Sequence, residues 1–379
     1  MRQAAQLPQL TSLRFFAAFW VLGFHTIPRT GPTGAWAAFW NVGWIGVTFF
    51  FVLSGFILTY TYGRDGGRLD RRRFWVARFA RVYPLYLFAM LFAVPQLLRF
   101  LRLAAAQGRP LGASQITGVV ISSVAMLQAW FGQLVCVWNC PSWSLSDEAF
   151  FYALFPLVLP LATGRRGRAL LLAATVGGMA FIAWGALVSG APAFAVQAAE
   201  AAVHPLARLP EFLLGCWLGG VFLARRPSWS ASSAVAIATA AGIVVIAAWA
   251  GLHPALGLPH LVAAPLFALL IIAVASSRMP SRGFLAAAPL VLLGEASYSL
   301  YMLHGPLHGY VLAAFNRVAP SASVGARFVV YVVAALALAI ASFRWLERPA
   351  RRWIRERFAG HERAVAARAV RRAAPASAP

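Results

Sequence analysis

Residues 10–25 read LTSLRFFAAFWVLGFH, a predominantly apolar run that carries two ionisable side chains, Arg14 and His25. On one helix, at about 1.5 Å of rise per residue, they stand roughly 16 Å apart, about half the thickness of a hydrocarbon core. A charge or an imidazole at that depth costs free energy unless it meets partners or water, so the pair marks a candidate site. The competing reading at this point is a satisfied core histidine beside an arginine that snorkels to the interface.

The surrounding chain makes a membrane setting the expectation. Of 379 residues, 61% are hydrophobic and 11% charged, with a mean hydropathy of +0.71. That is too little polar surface to cover a soluble core. Apolar runs recur at spanning length near 8–28, 41–62, 75–98, 144–163, 168–188, 203–224, 231–250, 260–277, 286–308 and 324–345, with an ambiguous piece at 114–135. Nothing after His25 resembles a small-residue cleavage site, so the first run reads as a retained helix rather than a secretory signal. The expected fold is all-α, a polytopic membrane protein of about ten transmembrane helices plus one re-entrant or interfacial segment.

Charge placement sets the expected orientation. All 33 basic residues are Arg, a bias that forbids reading any one Arg as chosen over Lys for its geometry. The net charge of +23 is spread in short clusters between apolar runs, as in cytoplasmic loops, which argues against a nucleic-acid partner. With a cytoplasmic amino terminus, Arg64, Arg68, Arg71 to Arg73, Arg165, Arg166, Arg168, Arg225, Arg226, Arg278 and Arg282 all fall inside, provided 114–135 does not cross. Both termini are then cytoplasmic, and Arg99, Arg102 and Arg109 run against the rule. Residues 1–350 read as one membrane domain and 351–379 as a basic tail, first an amphipathic helix bearing Trp353, Ile354 and Phe358, then a low-complexity Ala/Pro stretch expected to be partly disordered. Cys136 and Cys140 fall on the outer side, where a disulfide or two free thiols are both open; Cys216 reads as packing.

Several stretches carry polar chemistry within this apolar text. GVTFFFVLSGFILTY, 46–60, sets Ser54 beside Gly55 in mid-span, allowing close approach of a helix or of a slender ligand. RRRFWVARFARVYPLY, 71–86, places Arg78 and Arg81 one turn apart after Arg71, Arg72 and Arg73, a positive mouth suited to a phosphorylated ligand, whereas topology alone accounts for the triple Arg. PSWSLSDEAFFY, 141–152, holds Asp147 and Glu148, either acids at a capped helix start or a carboxylate that reaches and orients the His25 imidazole. Arg208 and Glu211 read as a structural ion pair. SYSLYMLHGPLH, 297–308, puts Tyr298, Tyr301 and His304 toward the outer end of a late span, with Tyr301 and His304 on one face. No metal site is expected.

Arg14 and His25, FFFVLSGF at 49–56, RFARVYP at 78–84, WSLSDEAFFY at 143–152, SYSLYMLH at 297–304 and ERP at 347–349, taken in order, resemble the integral-membrane acyltransferase family 3, over about 7–350. The resemblance implies bacterial O-acyltransferase activity at the plasma (inner) membrane: transfer of an acyl group, usually acetyl from acetyl-CoA, to a hydroxyl. By position it implies Arg14, His25 and Glu148 as catalytic residues, and Arg78 and Arg81 as the cytoplasmic arginine pair. Arg71, Arg72, Arg73, Ser54 and Gly55 are expected to complete the acyl-CoA site, with Trp143, Tyr301 and His304 on the acceptor side. The expected acceptor is a sugar or surface polysaccharide, ahead of a macrolide or other small molecule and of a lipid. Members commonly open with Asp-Gly where this chain has Thr11-Ser12. The alternative from another class is a glycan or lipid transporter or flippase using Arg14, His25 and Glu148 as a relay.

Overall fold

A computed structural model describes residues 7–27, 34–64, 68–189, 203–225, 232–252, 259–277 and 283–373, and among them there is helix and no strand. Arg226, Arg278 and Arg282 of the expected inner loops, and the Ala/Pro end of the tail at 374–379, lie outside the described residues. Helix α1, Pro8–Thr26, opens on a proline, whose missing N–H is no loss in a first turn. It is followed by α2 (Ala35–Asn41), α3 (Gly46–Tyr62) and α4 (Arg71–Phe92), the last capped by Asp70, which accepts from Arg73 N at 3.0 Å. Pro95 opens α5 (Val94–Ala106) and cannot continue the α4 ladder, so the axis bends there by 47°.

The ambiguous piece holds no helix long enough to cross among the described residues. Helix α6 (Ala113–Val124) is 12 residues long, Met126 then takes a positive φ of 58°, and the chain turns back through a bridge from Gln128 Nε2 to Ser142 O at 2.8 Å. Tyr86 OH, midway along α4, donates to Ser123 O at 2.5 Å, so this segment dips into the bundle and returns. Cys136 and Cys140 are joined as a disulfide within it.

Helices α7 (Trp143–Thr163), α8 (Arg165–Ser189), α9 (Pro205–Arg225), α10 (Ser232–Leu252) and α11 (Pro259–Ser276) complete the middle of the bundle. Next come α12 (Ala288–Glu295), α13 (Ser297–Val318) and α14 (Val324–Ser342), a π-helical turn at Phe343–Glu347, and α15 (Arg348–Ala373). Helices α3 and α9 cross in parallel at close approach. A Cβ on Gly55 would stand 2.2 Å from Phe212 O, and one on Gly215 2.0 Å from Val52 O, so only residues without side chains let the backbones touch. Around it pack Phe51, Phe151, Phe155 and Phe212. Outward-facing α8 leaves Phe181 and Leu187 76% and 78% exposed, a surface that suits lipid and not water.

Length and apolarity do not by themselves establish the expected count of ten crossings. Among the described residues six helices qualify, Gly43–Tyr62, Cys140–Thr163, Arg165–Val188, Pro205–Arg225, Ser233–Leu252 and Val324–His361, or up to seven with the bent α4–α5 pair. Arg14 and His25 dilute α1, the apolar part of α11 is too short, and a break at Ala296 divides the run expected at 286–308.

Directions are consistent through the bundle. Helices α3, α7 and α9 end together, with Thr163 and Leu223 packed at Gly63, and α1 and α13 run the opposite way side by side. Arg64, Arg165, Arg166, Arg168 and Arg225 thereby gather at one end, with the starts of α1, α4 and α15.

Candidate active site

From the arginine-rich end a cavity of about 750 Å³ runs between α1, α3, α4, α7 and α13. Arg14, Ser54, Arg78, Arg81, Glu148 and Tyr301 all line it, with Tyr152, Ser144 and Tyr298 beside them. Each position follows from local folding. Arg78 and Arg81 are i, i+3 on α4 and share a face. Glu148 is carried inward by α7, where its Oε1 accepts from Ser54 Oγ at 3.4 Å and from the Tyr152 hydroxyl one turn on. Tyr298 OH donates to Val82 O at 2.8 Å and fixes α13 against α4.

Glu347 is a lining acid that roles by resemblance leave out. The π-turn inserts an extra residue before α15 and turns this carboxylate into the bundle, 2% exposed, where Ser299 Oγ donates to it at 3.4 Å. Arg14 and Arg81 both lie within electrostatic reach of Glu347 and Glu148. The two arginines are thus held inside an apolar bundle by shared acids and by the cavity.

His25 and His304 form a second centre, toward the opposite end. His25 Nδ1 lies 2.9 Å from Val21 O and 3.1 Å from His304 Nε2, and His304 Nδ1 lies 2.6 Å from Tyr301 O. A carbonyl only accepts, so each Nδ1 carries a hydrogen. The one hydrogen on His25 Nδ1 is then shared between Val21 O and the Nε2 lone pair of neutral His304, the tautomer that makes Nε2 the acceptor nitrogen of His25. That is a base with its tautomer fixed by a neighbour. Tyr331 OH, donating to His304 O at 3.0 Å, and the 1% exposure of His304 hold the second ring in place.

The expected union of His25 with Glu148 is not what the geometry builds: Glu148 joins Ser54 and Tyr152, and His304 is the side chain set against His25. Tyr301 stands between the centres. It lines the cavity, bonds Ser144 Oγ at 2.8 Å and Pro141 O at 2.9 Å through its hydroxyl, and receives His304 at its carbonyl. Phe50, 6.1 Å from it ring to ring, completes that layer. Neither histidine is among the cavity-lining residues.

Other expected site residues lie elsewhere. Gly55 faces α9, not the cavity. Arg71, Arg72 and Arg73 are exposed at the start of α4, Arg73 paired with Asp70 at 3.3 Å. Trp143 packs on Phe51 and within 5.8 Å of Arg208, beside a buried cluster in which Arg208 pairs with Glu211 at 3.0 Å and donates to Thr48 at 3.0 Å. Asp147, the neighbour of Glu148, is fully buried, within electrostatic reach of Arg208 and Glu211. Among the described residues no group of three or more potential metal ligands occurs.

Comparison with known proteins follows the same lines. The family model described as Acyltransferase domain matches residues 7–344. The acyltransferase MdmB of Streptomyces mycarofaciens is 31% identical over 322 residues, 80% of this chain and 79% of that one. The O-acetyltransferase OatA of Staphylococcus aureus is 24% identical over 375 residues, 91% of this chain but 57% of OatA. The putative peptidoglycan O-acetyltransferase YrhL of Bacillus subtilis is 32% identical over 167 residues, 40% of this chain and 24% of YrhL. No solved structure gives a significant match.

Proposed function

The chain belongs to the acyltransferase 3 family, and from that premise we propose that it is a membrane O-acyltransferase that moves an acyl group, acetyl first, from acyl-CoA to a hydroxyl of a sugar or surface polysaccharide. The arginine-rich end faces the cytoplasm of a bacterial plasma membrane, with both termini on that side. Acyl-CoA enters the cavity there. Arg78 and Arg81 hold its phosphates, and the pantetheine arm follows the lining past Ser54 and Arg14 toward Tyr301.

His25 accepts the proton of the acceptor hydroxyl at Nε2 as the oxygen attacks the thioester carbonyl. The C–S bond breaks, the thiolate leaves and takes a proton, and the ester remains. His304 steadies the imidazolium through the Nδ1–H contact, which makes it a positioning residue rather than an acceptor-binding one. Rotation of Phe50 and Tyr301 joins the cavity to the imidazole pair. Glu148 and Glu347 set Arg14 and Arg81 in place.

The observation that carries this reading is one cavity with arginines at its mouth and Tyr301 at its far wall, bonded to a histidine pair. Purified protein in nanodiscs, given acetyl-CoA labelled in the acetyl group and a hydroxyl-bearing glycan, is expected to release free CoA thiol and label the glycan. A transporter would move the glycan with no label and no thiol release, and that result would overturn the reading.

A further inference from the structure

Helix α15 lays a row of arginines across the cavity mouth. Arg348 and Arg351 line the cavity itself. Arg355, one turn further on the same face, lies within electrostatic reach of Arg78, Arg81 and Tyr62, and Arg351 within reach of Arg78, Arg81, Arg355 and Glu347. The helix packs along α4, where the Arg72 guanidinium sits 5.0 Å above the Phe358 ring.

Crowding around one cavity mouth without matched acids sets these arginines apart. Away from the mouth, Arg73, Arg208 and Arg352 are matched with Asp70, Glu211 and Glu356 at 3.3, 3.0 and 3.0 Å. Among the described residues, Arg14, Arg78, Arg81, Arg348, Arg351 and Arg355 form no ion pair within 4.0 Å. The carboxylates on the cavity wall are Glu148, Glu295 and Glu347, so the arginines outnumber them. Arg78 Nε is also buried with no partner among the described residues. Like charges brought together repel, and a folded scaffold that holds a surplus of them is built for a polyanion. Guanidinium forks suit phosphate oxygens in particular. The α15 arginines all lie beyond residue 344, where the family match ends.

We infer that Arg351 and Arg355 form, with Arg78, a polyphosphate site at the cavity mouth that takes the nucleotide phosphates of the acyl donor. The inference rests on the acyl-CoA reading above and adds to it a second wall of the donor site, supplied by this chain's own carboxy-terminal helix. S-acetylpantetheine, which lacks the nucleotide, has nothing to offer these two side chains.

The test is titration of CoA into the full chain in phosphatidylcholine nanodiscs, followed by calorimetry, for wild type, Arg351→Gln/Arg355→Gln and Arg352→Gln. The double variant is expected to bind CoA at least tenfold more weakly, while Arg352→Gln stays within twofold and KM for S-acetylpantetheine is unchanged in all three. Equal CoA affinity in wild type and the double variant would overturn the inference. A lipid headgroup carries the same phosphate chemistry, so the titration is repeated in phosphatidylglycerol discs. A double variant that loses affinity for that lipid but not for CoA assigns the site to lipid and overturns it too. Wild-type protein that binds no CoA at all would remove the donor reading itself, and this site with it.

Discussion

His304 Nε2 lies 3.1 Å from His25 Nδ1, one imidazole set against another inside a largely apolar bundle. The carbonyls of Val21 and Tyr301 fix both tautomers, so the contact gives His25 an acceptor that strengthens as the ring gains a proton.

Replacing His304 by Ala is therefore expected to lower kcat by roughly tenfold or more, short of the 10²–10⁴-fold expected for loss of a general base. His304→Gln, whose amide oxygen also accepts from Nδ1–H, should recover most of that loss. Steady-state kinetics on both variants checks this, and a Gln variant no better than Ala would mean that His304 only fills space.

Arg81 lies within reach of Glu347 and Glu148 and lines the cavity. Arg81→Gln is expected to raise KM for acyl-CoA about tenfold, the scale of one charge-assisted contact, with a smaller change in kcat. Initial rates over a range of acyl-CoA at fixed acceptor separate the two parameters.

The Arg208–Glu211 pair, 0% and 1% exposed, has its own signature. Arg208→Ala leaves a buried carboxylate without its cation and is expected to destabilise the protein by about 3–5 kcal/mol. The double change Arg208→Leu/Glu211→Leu should recover much of that. Unfolding in detergent, followed by circular dichroism, reads both.

Ser54 and Gly55 are adjacent in sequence and divergent in role. Gly55→Ala pushes a methyl group into Phe212 O and is expected to lower the unfolding temperature with little change in KM for acyl-CoA per folded molecule. Ser54→Ala removes a hydroxyl from the cavity wall and should do the opposite, shifting KM while leaving the melting curve in place.

The sequence makes some of this visible and hides the rest for physical reasons. Arg14, Arg78, Arg81 and Glu148 stand out because a charge in an apolar run is costly, and the fold brings all four to one cavity. The arginine pattern favours a piece at 114–135 that does not cross, and the 12-residue α6 found there fits it. The His25–His304 contact joins positions 279 apart on parallel helices, which no local spacing encodes. Asp147 and Glu148 are neighbours about 100° apart on α7, so one faces the cavity and the other the Arg208 cluster. Glu347 turns inward through a π-turn, a register change that periodicity does not signal.

The central claim is that acyl transfer is carried out at His25, apart from where the donor's phosphates are held. The direct test is CoA binding and thiol release measured on the same preparation of His25→Ala. The account requires CoA affinity within twofold of wild type and thiol release reduced at least 10²-fold. A His25→Ala protein that releases thiol and labels its acceptor at near wild-type rate would contradict it.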